Sequence, residues 1–91
     1  MNAAIHPGEH LAEFLEEYEI SQNALAQRMG IPRMRISQLV RGERSITADT
    51  AIRLGLVLCT TPEFWLNLQS RYDLDLAEAN IDPKAIKPLV A

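Results

Sequence analysis

Between Gln22 and Gly42 the sequence holds two short apolar-striped segments joined at a single glycine, and this pairing constrains the chain more than any other feature. Leu25, Ala26 and Met29 recur at helical spacing, as do Ile36, Leu39 and Val40, so each segment reads as a short amphipathic helix. Ser21 supplies an N-cap to the first, and Gly30 ends it because a left-handed residue costs least as glycine. Pro32 opens the second helix within two residues, where its missing N–H does no harm, and Gly42 stops it. Helices joined so tightly must cross at a steep angle. Ala26 is small where the crossing falls, and Leu25, Met29, Ile31, Ile36 and Leu39 set the angle by packing on a common core.

Turning that apolar side inward leaves Arg33, Met34, Ser37, Gln38 and Arg41 facing outward on the second segment, about 33–41. These side chains suit the edges of base pairs. Arginine makes a bidentate contact to guanine and glutamine to adenine, and a methionine lies against a thymine methyl. Arg33, Met34, Ser37 and Gln38 are the expected base readers. Gln22, at the start of the first segment, is placed to hold a phosphate with its side chain and the free backbone N–H groups, while Arg41 and Arg44 reach the flanking backbone.

The net charge of −3 argues against a nucleic-acid partner only as an average. Residues 1–20 carry five glutamates and no Lys or Arg, whereas residues 21–53 carry six arginines against Glu43 and Asp49. Phosphate contacts act within a Debye length of roughly 8–10 Å, so the basic middle decides and the acidic body does not.

The remaining pattern is all-α, giving five helices in a domain over 1–79 with a helix-turn-helix at the second and third. Pro7 and Gly8 open the first helix, with Leu11, Phe14, Leu15 and Tyr18 on its stripe. Thr47 caps the fourth, with Ile46 as its staple and Ala51, Ile52, Leu54, Leu58 and Cys59 expected inward. Gly55 within it predicts a close approach to a neighbour. Thr61 and Pro62 start the fifth, which carries Phe64, Trp65, Leu68, Tyr72 and Leu76 and ends near Ala79. Phe64 and Leu68 read as core, while Trp65 and Tyr72 read equally well as core or as a dimer seam. Residues 80–91, with Pro83 and Pro88, are expected to be an extended tail.

No stretch of 18 apolar residues occurs, so no membrane partner is expected, and the lone Cys59 suits a reducing cytoplasm. His6, Glu9 and His10 spell H-x-x-E-H, yet Pro7 and Gly8 keep His6 ahead of the helix and no third histidine exists. Both histidines therefore read as surface residues near a helix start, and no metal is expected. No glycine-rich phosphate loop or Ser/His/Asp set is apparent, so neither a cofactor nor an enzymatic reaction is expected.

The segments SQNALAQRMGIP (Ser21 to Pro32), ITADTAIRL (Ile46 to Leu54) and TPEFWLNLQSRYDL (Thr61 to Leu74) resemble the HigA-type antitoxins, members of the lambda-repressor-like (XRE) helix-turn-helix proteins. The resemblance spans about Pro7 to Glu78. It implies a five-helix fold and a homodimer on an inverted-repeat double-stranded operator. It further implies repression of the protein's own operon and neutralisation of a HigB-type mRNA-cleaving toxin. By position it carries operator contact onto Gln22, Arg33, Met34, Ser37, Gln38 and Arg41. Cys59 stands where the family often has a glycine ending the fourth helix, and Leu56 where it usually has a charged residue. A repressor without a toxin partner, and a module that binds only protein through the acidic first helix or the tail, stay open at the level of sequence.

Overall fold

Four of the five helices begin at a residue whose side chain takes up a free backbone N–H. The computed structural model describes residues 3–90, in five helices: α1 (Pro7–Glu17), α2 (Gln22–Met29), α3 (Arg33–Val40), α4 (Ala48–Leu58) and α5 (Pro62–Asn80). Ser21 Oγ accepts from the Ala24 N–H at 3.0 Å, Thr47 Oγ1 from Thr50 at 3.3 Å and Thr61 Oγ1 from Phe64 at 3.1 Å. Pro32 is the exception. It precedes α3 in an extended conformation with no side-chain cap, one residue outside the helix it was expected to open.

The ends of α2 and α3 follow one pattern. Gly30 sits at φ 70°, with its own N–H on the Gln27 carbonyl and the Ile31 N–H on the Ala26 carbonyl. That double closure turns the chain straight into α3. Gly42 repeats it after α3 at φ 76°.

The core collects Leu11 from α1, Leu25, Ala26 and Met29 from α2, Ile36 and Leu39 from α3, and Ala51 and Leu54 from α4, with Ile46 and Trp65 closing it. α1 and α5 run antiparallel: Phe14 meets Phe64 and Trp65, while His6, at the other end, meets Tyr72 edge-on with ring centroids 4.9 Å apart. Beyond Asp75 every residue of α5 is exposed, and the described molecule measures 51 × 21 × 21 Å. Residues 81–90 are exposed throughout, with a single 3-10 turn at Pro83–Ala85.

Several expectations need correcting. Trp65 is fully buried, with its indole N–H on Thr60 Oγ1 at 2.8 Å, so it belongs to this chain's own core and cannot form a dimer seam. Tyr72 is half-buried against His6, which leaves only part of its ring for a seam. His6 is buried rather than superficial: its Nδ1 accepts from the Gly8 N–H at 2.8 Å, capping α1. Ile52 is 50 % exposed, because Ala51, Leu54 and Gly55 set the inward stripe of α4 and Ile52 falls about 100° away from it. Cys59 is exposed, as the left-handed C-cap of α4 at φ 58°. Leu76 is exposed because it lies past the start of α1, which faces Tyr72.

Two glycines mark close approaches. A Cβ on Gly55 would stand 2.7 Å from the Thr60 carbonyl oxygen, where the chain doubles back from α4 into α5. A Cβ on Gly8 would collide with the Leu39 carbonyl, so α1 rests directly on the end of α3.

Candidate nucleic-acid interface

α3 buries Ile36 and Leu39 completely, which fixes its rotation about its own axis. Its opposite side is uncovered: Arg33 and Arg41 are exposed, Met34 is 62 % exposed, and Ser37 and Gln38 lie half-buried between them. Arg33, Met34, Ser37 and Arg41 line one shallow concavity of about 190 Å³. Gln38 sits on its flank, where its Oε1 accepts from Arg44 Nε at 3.1 Å, bringing an expected base reader and an expected phosphate ligand into contact. Arg41 pairs with Glu43 at 3.1 Å, in a geometry exposed enough to exchange the carboxylate for a phosphate at little cost.

Gln22 is the first residue of α2 and half-buried. Because Ser21 takes the Ala24 N–H, the N–H groups of Gln22 and Asn23 remain without an intrachain partner among the described residues. They form the positive end of a short helix beside the reading face, a geometry suited to a phosphate oxygen.

Five of the arginines divide into two sets, which composition could not reveal. Arg33, Arg41 and Arg44 face solvent, whereas Arg35 and Arg53 turn away toward Asp49. Asp49 Oδ2 accepts from Arg35 Nη2 at 3.3 Å and from Arg53 Nε at 3.0 Å, so α3 and α4 share one carboxylate. Arg53 Nη1 also donates to the Met29 carbonyl at 2.7 Å, tying α4 to the end of α2. Arg35 Nε is buried without a partner. Sequence reasoning missed this clamp. Arg53 four residues after Asp49 is a visible i,i+4 pair, but its reach to Met29 depends on tertiary placement.

A second missed contributor is Gln69, buried on α5. Its Oε1 accepts from the Ile46 N–H at 2.8 Å and its Nε2 donates to Asp73 Oδ1 at 3.0 Å. The bond anchors the segment between α3 and α4, which carries Arg44.

Among the described residues, no cluster of three or more His, Cys, Asp and Glu side chains is arranged to hold a metal ion, and no helix is long and apolar enough to cross a membrane.

Two helices crossing about a left-handed glycine, the second presenting an uncovered polar ridge, define a helix-turn-helix protein. Residues 11–65 match the Helix-turn-helix family. Virulence-associated protein I of Dichelobacter nodosus is 46% identical over 76 residues, covering 82% of this chain and 70% of that one. The structure of an addiction module antidote protein of the HigA family from Coxiella burnetii is similar at a TM-score of 0.88 and 46% identity, covering 96% of this chain and 99% of that one. Antitoxin HigA of Pseudomonas aeruginosa, solved with the higBA promoter, is similar at a TM-score of 0.89 and 43% identity, over 97% of this chain and 100% of that one. The chain belongs to the helix-turn-helix family and, within it, to the HigA-type antitoxins.

Proposed function

We infer that this protein is the DNA-binding antitoxin of a type II toxin–antitoxin module, which occupies its own operator as a homodimer and neutralises a HigB-type toxin. The observation that carries the DNA-binding part is the ridge of Arg33, Met34, Ser37, Gln38 and Arg41, which no other element of the described residues packs over. The HigA likeness carries the toxin partner. Arg33, Met34, Ser37 and Gln38 read base edges in the major groove, and Gln22, Arg41 and Arg44 hold the flanking phosphates. The chain catalyses no reaction, and its operator places its work in the cytoplasm.

The dimer seam lies on the outward stripe of α5. Leu66, Ser70, Leu74 and Ala77 follow one another at helical spacing and are all exposed, with small residues that let two helices approach. A two-fold axis across this stripe pairs the two copies of α5 antiparallel. The copies of α3 then enter successive major grooves about 34 Å apart, on an inverted repeat. Repression follows from excluding polymerase from the occupied promoter.

The test has two arms. Gel shift of the protein with the DNA upstream of its own coding sequence should show a salt-sensitive complex with two protomers. Co-purification with the product of the adjacent small basic reading frame should give a stable complex with no ribonuclease activity. Absence of a specific shift removes the repressor, and absence of a toxin complex removes the antitoxin.

A further inference from the structure

The turn from Gly30 to Pro32 stands directly before Arg33 and Met34, so any error in its angle is carried into the reading face. Three side chains converge on this turn from outside the core. The left-handed closure at Gly30 uses the Ala26 and Gln27 carbonyls, while that of Met29, the last residue of α2, is taken by Arg53 Nη1 at 2.7 Å. The guanidinium lies over the turn itself, since a Cβ on Gly30 would stand 3.4 Å from the same nitrogen. Arg53 Nε donates to Asp49 Oδ2 at 3.0 Å, and that oxygen also accepts from Arg35 Nη2 at 3.3 Å. One run of hydrogen bonds therefore links the end of α2, through α4, to the first turn of α3.

We propose that Arg35, Asp49 and Arg53 are positioning residues for sequence reading. They hold the start of α3 at the angle that brings Arg33 and Met34 to base edges, and they do so without touching DNA. This rests on α3 being the base-reading helix, as inferred above.

The first support is where the tether falls. Pro32 gives α3 no side-chain cap, and no side chain of α3 before Ile36 is fully buried. Among the described residues 32–35, Arg35 alone has a side-chain bond to another element. It turns toward α4 while Arg33 and Met34 face solvent, so it steadies the readers from the side opposite the groove. The second is that the arrangement is poorly made for stability. The Asp49 side chain is 59 % exposed and that of Arg53 40 %, and pairs so open to water contribute little. Arg35 Nε is buried without a partner, a cost that stability alone does not explain. The third is tolerance. Base contacts lose strength steeply with small errors in distance and angle, so a weak tether at the right place has a large effect on selectivity and a small one on folding.

Asp49→Asn removes the shared charge and keeps the shape. Its affinity for operator and random DNA is measured across a range of salt, at a temperature where its melting curve shows it fully folded. The ratio of operator to random affinity should fall about tenfold, with discrimination blunted at every base pair read by Arg33 and Met34. The slope of log K against log salt should not change. Arg53→Lys keeps the charge but cannot bond Met29 and Asp49 together, so it should lose the same selectivity. Asp49→Glu restores a carboxylate and should recover most of the ratio. Tighter binding to all DNA with a steeper salt slope in Asp49→Asn would make the freed arginines phosphate ligands and overturn the proposal. So would a lowered Tm with an unchanged ratio, or a loss confined to a single base pair. The unaltered protein in the same titration separates the two readings. Operator selectivity that Asp49→Asn and Arg53→Lys retain refutes the positioning role alone, whereas its absence from the unaltered protein refutes the reading helix as well.

Discussion

Cys59 occupies a left-handed backbone conformation, which costs an ordinary residue about 1–2 kcal/mol and a glycine almost nothing. Glycine gives back part of that gain through the greater freedom of its unfolded chain, about 0.5–1 kcal/mol. Cys59→Gly should therefore stabilise the protein by up to about 1 kcal/mol, read as a rise in Tm of a few degrees. The same backbone reasoning runs the other way at Gly8, where no side chain fits against the Leu39 carbonyl. Gly8→Ala must push α1 off α3 and should cost about 1–3 kcal/mol in denaturant unfolding. Gly8 was silent in the sequence, and Cys59 was legible only through the family resemblance, which puts a helix-ending glycine at its position. Gly8 next to Pro7 reads as a helix opening, and Cys59 reads as a small hydrophobe facing the core. What decides them is φ in one case and an interhelical distance in the other, neither of which is a property of the residue itself.

At the scale of elements, caps and stripes were plain because they depend on neighbours in sequence: Ser21, Thr47 and Thr61 cap their helices, and Gly30 turns α2 into α3. The reading face was plain for the same reason. Once Ile36 and Leu39 face in, Arg33, Met34 and Ser37 must face out. What periodicity could not show is how elements are tied to one another. In the sequence Arg53 counts only as one of six arginines in the basic middle, yet it joins α4 to the end of α2, and Gln69 carries no role, yet it holds the segment carrying Arg44. Gln69→Leu would strand the buried Ile46 N–H and should cost about 1–3 kcal/mol. Thermal unfolding measures that loss, and an unchanged Tm would show that the bond does not hold the α3–α4 segment.

For the whole molecule, the division of charge explains how a chain of net charge −3 can bind a polyanion. The uncovered ridge is basic, two further arginines pair with Asp49, and the acidic residues lie mostly on α1 and α5. Association should therefore weaken steeply with salt. Arg41→Ala and Arg44→Ala should each weaken operator and random DNA alike and lower the slope of log K against log salt by about 0.9 for every protomer bound. A loss confined to the operator would make these residues readers of sequence and not of phosphate.

Orientation is the central physical claim: the buried side of α3 aims its polar side into the major groove. Operator variants substituted one base pair at a time, titrated with the unaltered protein, Arg33→Ala and Gln38→Ala, measure it most directly. The account predicts that each substitution costs about 1–3 kcal/mol on the operator and abolishes discrimination at one base pair per half-site, leaving the other positions as selective as before. Two variants that bind with undiminished affinity and an unaltered profile of base preference would contradict it.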